Sequence, residues 1–561
     1  MAWGGGNANS VDAWVKRLKE NDSSFTSLHI LSFRRVTSAE LGRVFEALED
    51  NSTLKELYAS GHALDEEAVQ KLATSLQKNT TLERLNIGND TVGARFGVIR
   101  VLMDGLALNK GLVKLDLENK GLGGLQEEGA STDAGIGSVQ SLARALEKNE
   151  TLRELNLARN KLTDKDVSVL CQALAKNKSL QKLDLCLNDF KMQGTQAVAD
   201  MLAGQNQLVE ETHLGLREVD LSDNDITEEG GKAIGRSLAT NKVLQRLRMS
   251  SCMDPPLPVE EDDEDKIPLD DEVQALNKAL TKEEEAEIVS DGDAVVGAIA
   301  ESLKANSTLQ ELWMDFCNIS SIGATTLAHA LRQNRGLTTL RMRNNRIGNR
   351  GARSLGAALT PASGPAGHDD SASGSVTRHN ITLMNLELGS NKIGVLGWHG
   401  LVGASSLESL GLYDNQVSVL HEALETHNKL SEESSSTPEV NAADMANGSS
   451  SEQALQRLVH LDVGCNAISR DSFTQLGECL IKGMLPALIR LEIAGNGDRS
   501  EAPENGDGDE EEGPTDPEDP DQDPGQSEEQ TAWENVATKV EEARPALAIH
   551  WKGAGAMQQQ Q

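Results

Sequence analysis

The sequence predicts an open α/β solenoid, with short parallel strands on its concave side and helices on its convex side. A nine-residue unit, LxxLxLxxN, recurs along the chain, and between its copies the apolar residues switch to a helical period. Length agrees: 561 residues would otherwise divide into three or four globular domains, whereas a repeat array can absorb them in one stack.

The unit is clearest in Leu152-Arg-Glu-Leu155-Asn-Leu157-Ala-Arg-Asn160 and Leu180-Gln-Lys-Leu183-Asp-Leu185-Cys-Leu-Asn188, which are 28 residues apart. Its fourth position recurs at Leu31, Leu57, Leu85, Leu115, Leu155, Leu183, Val219, Leu247, Leu312, Leu340, Leu386, Leu410, Leu461 and Leu491, giving about 14 repeats. Alternating leucines point inward from a strand, and one copy alone cannot bury them, so copies must stack. Ten copies carry Asn or Cys at the ninth position, where a buried side chain is expected to bond the turning backbone.

Each element follows in order. Residues 1–27 read as an N-terminal capping helix, with Val11, Trp14, Val15 and Leu18 on one face. Residues 28–498 form the solenoid. Its helices, such as the stretch from Glu66 to Leu76, keep the 3.6-residue period. Most end at an Asn (51, 79, 109, 149, 177, 241, 306, 334, 380), a residue that tolerates a left-handed helix end. Long steps hold an acidic insertion at 254–293 and loops at 360–379 and 431–453. An acidic linker spans 499–530, and 531–561 combine a helical pattern at Trp533, Val536, Ala537 and Val540 with an alternating Leu547, Ile549 and Trp551, as a cap or a partner-binding segment.

The formal charge of −35 comes from 88 acidic against 53 basic residues. It is localised: residues 254–293 hold 16 acids and 3 bases, 498–542 hold 18 and 2, and 431–453 hold 5 and 0. The remaining 453 residues carry 49 acids and 48 bases, so the repeats themselves are nearly neutral. This pattern argues against nucleic acid and suggests basic partners for the acidic segments. The N-terminus lacks a secretory pattern and no apolar run approaches a membrane span, so a cytoplasmic or nuclear protein without membrane partners is expected. The six cysteines have no CxxC or metal-ligand spacing; reduced thiols, no metal and no cofactor are expected. Asn505-Gly-Asp507-Gly-Asp509-Glu510 lacks the later ligands of a calcium loop and reads as acidic tail.

The repeat length, the strand and helix alternation and the Asn/Cys position together resemble the leucine-rich repeat of the ribonuclease-inhibitor type. That resemblance implies a horseshoe used for protein binding, as an inhibitor or as a scaffold, and it implies no catalytic residues. Side chains at the third, fifth and seventh positions are expected on the concave, solvent-facing side of the strands. The candidate contact residues there are Tyr58, Arg84, Lys114, Asp116, Lys182, Asp184, Arg246, Arg248, Glu311, Trp313, Asp315, Arg341, Arg343 and Tyr413. Both tyrosines of the chain fall in this set, and exposed aromatics and Arg are common interface anchors. The four arginines flank Glu311, Trp313 and Asp315 in neighbouring copies, so the middle of the arc is expected to make the contact.

The architecture is also similar to Ran GTPase-activating proteins, which join such repeats to an acidic C-terminal region. That resemblance implies a small-GTPase partner and an Arg eight residues after a ninth-position Asn. In the second copy the equivalents are His62 and Gln70, and only Asn345 with Arg353 keeps the spacing. No metalloprotease, phosphate-loop or nucleophile-elbow motif occurs.

Overall fold

The computed structural model describes residues 10–124, 137–205, 215–252, 289–361, 379–435, 454–496 and 528–551. The acidic insertion up to residue 288, the loops at 362–378 and 436–453 and most of the acidic linker lie outside them. The chain forms two compact units, one from residues 1–270 with 290–318, the other from 271–289 with 319–561.

The first unit contains β1 (Ser27–His29), β2 (Glu56–Ser60), β3 (Arg84–Gly88), β4 (Lys114–Asp116), β5 (Glu154–Asn156), β6 (Lys182–Asp184), β7 (Glu218–Asp220), β8 (Arg246–Arg248) and β9 (Glu311–Trp313). Each is parallel to the next, and the register places the fourth-position residues side by side, from Leu28 against Leu57 through to Leu247 against Leu312. The second unit contains β10 (Thr339–Arg341), β11 (Asn385–Glu387), β12 (Ser409–Gly411), β13 (His460–Asp462), β14 (Arg490–Glu492) and β15 (Ala548–His550), also parallel and sequential. Both units are therefore leucine-built α/β solenoids, with a helix between successive strands.

The inward leucines are buried almost completely, each contributing about 2 kcal/mol of transfer free energy. Helices stack in sequence order and approach closely where small residues allow. A Cβ on Gly105 would meet the Cα of Ala73 at 2.6 Å, so only glycine fits between the helices Glu66–Lys78 and Phe96–Leu108.

Two ladders of buried amides join the repeats. In the first, the ninth-position Asn188 donates to Leu157 O at 3.1 Å and accepts the N–H groups of Asn160 and Leu162 at 2.9 and 3.0 Å. Cys252 and Cys317 take that place with thiols that donate to Leu221 O at 3.2 Å and Met249 O at 3.0 Å. Lys120 fills the same slot in the fourth copy, where its Nζ donates to Ser60 Oγ at 2.8 Å and Gly88 O at 3.0 Å. Burial, the largest cause, holds the Lys120 ammonium below its ordinary pKa.

The second ladder corrects the expected role of the helix-ending asparagines. None of the nine is left-handed; Asn79 has φ −71° and ψ 124°, and all nine are buried. Asn109 shows why: its Nδ2 donates to Leu76 O and Asn79 O at 2.6 and 3.1 Å, and its Oδ1 accepts from Gly111 and Leu112 N–H at 3.0 and 2.6 Å. The asparagines bond neighbouring repeats together, and the extended backbone lets one side chain reach both sides.

Two further differences concern register and the ends. The first strand is centred on Leu28, not Leu31, which is 52% exposed. Phe25, Leu28 and Ile30 fill the inward positions, so the reading from Leu31 is displaced by three residues. The described strands number fifteen, because β15 pairs with β14. Trp14, Val15 and Leu18 of the helix Val11–Lys19 are buried at the N-terminal end. At the other end Trp533 stacks on Phe473 with centroids 4.5 Å apart. Arg544 ties this cap down by donating to Met484 O, Leu485 O, Pro486 O and Leu488 O at 3.0 to 3.2 Å.

Candidate functional site

The open face of the first unit is built by third- and fifth-position side chains, because alternate residues of each strand point away from the leucine core. At the third position charge largely alternates along the stack. Arg84 pairs with Glu56, Lys114 with Glu154 at 3.3 Å, Lys182 with Glu218 at 2.6 Å and Arg246 with Glu311 at 2.9 Å. Exposed pairs of this kind are worth only tenths of a kcal/mol each.

The centre of that row differs. Glu218 is only 7% exposed and receives three cations: Lys182, Arg246 at 3.3 Å and Arg248 at 3.0 Å. Burial by itself raises its pKa, but the hydrogen bond and charge of Lys182 and the charge of Arg248 outweigh it and hold the carboxyl below its ordinary value. Arg248 also lies 3.7 Å from Asp220 and places its guanidinium 4.2 Å above the ring of Trp313. A desolvated cation over an indole is worth about 1–2 kcal/mol and fixes the ring in place. Lys182, Arg246, Arg248, Glu311 and Trp313 are thus brought together around Glu218.

The other predicted positions fall elsewhere. Tyr58 stacks on His29 with centroids 4.6 Å apart. Asp116 accepts from Asn86 Nδ2 at 2.9 Å, and Asp184 accepts the N–H of Cys186 at 3.0 Å. Burial, with Asp220 as a further cause, holds the Asp184 carboxyl above the ordinary range despite that hydrogen bond. Asp315 does not face solvent: it is 4% exposed, its N–H bonded to Ser250 Oγ at 3.1 Å, because the strand ends at Trp313 and the seventh position already lies in the turn. Arg341, Arg343 and Tyr413 belong to the second unit. There Arg343 pairs with Glu387, and Tyr413, 48% exposed, accepts from Cys465 Sγ at 3.1 Å.

Sequence reasoning passes over two features of this face. Glu218 is one acidic position among many until three cations close on it. Leu187 and Phe316 sit at the eighth position with φ of 54°, a left-handed conformation costing about 1–2 kcal/mol for a residue with a Cβ. The signal was present, since other eighth positions hold polar residues such as Asn119, Asp223 and Ser251. Among the described residues no group of three or more His, Cys, Asp or Glu is placed to hold a metal, and no helix is long and apolar enough to cross a membrane.

Comparison with known proteins follows the same lines. Residues 7–128 match the TMOD/LMOD leucine-rich domain, and residues 148–171, 216–235, 305–328 and 333–356 match the leucine-rich repeat. Ribonuclease inhibitor from Sus scrofa is 27% identical over 358 residues, covering 61% of this chain and 72% of that protein. Ribonuclease inhibitor from Mus musculus is 26% identical over 343 residues, 57% and 71% of the two chains. Tropomodulin-4 from Mus musculus is 30% identical over 111 residues, and the match spans 20% of this chain and 30% of that protein.

Proposed function

We propose that this chain, a leucine-rich-repeat protein of the ribonuclease-inhibitor type, is a non-catalytic scaffold or inhibitor that binds a protein through the open strand face of its first unit. The observation that carries the reading is Trp313, held beneath Arg248 at the edge of the Glu218 cluster. A water-facing strand needs no indole for its own packing, and an Arg-ordered aromatic beside neutralised charges is suited to anchor a partner. A relative whose match covers 61% of this chain is named ribonuclease inhibitor, which supports binding that blocks another protein.

Affinity capture with the wild type and with a Tyr58/Trp313→Ala variant, both residues in the first unit, tests this reading. The variant is expected to lose the partners that the wild type retains; retention of all of them sinks the strand-face site. Activation of a small GTPase is the second outcome to measure, by hydrolysis of GTP on Ran. That alternative has less support, because Gln70 and Arg353 lie exposed on the helices Glu66–Lys78 and Gly348–Leu359, away from the strands.

A further inference from the structure

Across β4 to β9 the eighth position of the unit is Asn119, Arg159, Leu187, Asp223, Ser251 and Phe316, all left-handed. Four are polar, as suits a side chain held out in water. Leu187 and Phe316 are 39% and 54% exposed. The backbone bond of the turn is the same at Leu187 as at polar eighth positions. Leu187 N–H bonds Ser222 O at 3.0 Å, and Asp223 and Ser251 make the equivalent bonds to Ser250 O and Asp315 O, both at 2.8 Å. Two bulky apolar residues thus occupy left-handed, partly exposed positions that neighbouring copies fill with polar ones, which points to a use outside the fold.

Their surroundings define what they fit. Three strand spacings of about 4.8 Å separate the two repeats, so Leu187 and Phe316 lie roughly 14 Å apart along the rim. Asp184 shares the repeat of Leu187, and Asp220 and Asp223 lie in the next repeat towards Phe316. Asp220 has Arg248 at 3.7 Å, whereas among the described residues Asp184 and Asp223 take part in no ion pair. The rim is thus apolar at its ends and anionic in its middle.

We propose that this turn rim docks a protein segment carrying two apolar side chains about 14 Å apart, with Lys or Arg between them facing Asp184, Asp220 and Asp223. The rim adjoins the strand face, since Phe316 shares a repeat with Trp313, and the proposal goes beyond that reading by identifying the partner class as cationic and amphipathic.

In an extended chain the spacing corresponds to side chains about four residues apart, at roughly 3.4 Å per residue. The probe is a fluorescein-labelled synthetic peptide containing Leu-Arg-Lys-Arg-Leu, measured by anisotropy against the full chain at physiological salt. The wild type is expected to bind. A Leu187→Asn/Phe316→Asn variant, whose new side chains suit the left-handed turn, should keep or raise its Tm yet bind at least about thirtyfold more weakly. A peptide with Ser for Leu should weaken similarly, and one with Glu for the basic residues should not bind. No binding by the wild type, equal binding by the Asn variant, or equal binding of the Ser peptide would each overturn the rim. A Trp313→Ala variant separates the two readings. If it alone loses the peptide, the rim falls and the strand face stands; if only the Asn variant loses it, the rim stands without the face.

Discussion

At the scale of single residues, Glu218 shows how neighbours change what a side chain does. It is the one carboxylate that all three cations, Lys182, Arg246 and Arg248, share, so Glu218→Ala is expected to destabilise the first unit by about 2–4 kcal/mol, read from urea unfolding. Its folded pKa lies below the unfolded one. The stabilisation is therefore complete above the ordinary carboxylate value of 4.5 and is lost as pH falls through the depressed folded value. Between about pH 6 and pH 3 the wild type should lose more stability than Glu218→Gln, and parallel losses would exclude this linkage. The leucines at Leu155 and Leu183 are legible in the sequence because a strand's period of two leaves one choice of face. The fate of Glu218 and Asp315 is not, because it depends on which charges meet across strands and where the strand ends.

At the scale of elements, helices and strands follow directly from the alternation of the two periods, whereas the meaning of the punctuation does not. The asparagines before each strand are conspicuous, yet a helix-ending residue and a bridging amide look alike in sequence; only Asn109 reaching Leu76 O and Asn79 O distinguishes them. The C-terminal helix Glu528–Ala543 and β15 are held by Trp533 against Phe473 and by the Arg544 bonds. Arg544→Met leaves four carbonyls to find water, and a cost of about 1–3 kcal/mol is expected locally. Limited proteolysis should then cut after residue 528 before it cuts elsewhere; an unchanged cleavage rate would show that Trp533 suffices.

At the scale of the whole molecule, stacking ignores distance along the chain. Asn306 donates to Leu238 O at 2.8 Å and Asn241 O at 2.9 Å, as its counterparts do one repeat away, although the acidic insertion lies between them in sequence. Replacing residues 254–288 by a short Gly/Ser linker is therefore expected to leave Tm within about 4 °C, because loop length enters closure only logarithmically. A larger fall would mean that the insertion contributes to the core. The return of the repeats after the insertion is legible from register, whereas its end is not legible from charge, since Asp291 and Asp293, read as part of the acidic insertion 254–293, open the helix Asp291–Leu303.

The two cysteine rungs, Cys252 and Cys317, have a consequence for how the first unit breathes. A carboxamide both donates and accepts strongly, whereas a thiol does each weakly, and burial pushes the Cys317 thiol up to about 12, so it stays protonated. The stack is thus bonded unevenly, softest where sulfur replaces nitrogen and oxygen. In deuterated solvent, the amides of Asn224 and Cys252 should exchange before those of Asn160 and Asn188, so solvent enters this stack first beside the repeat that holds Trp313.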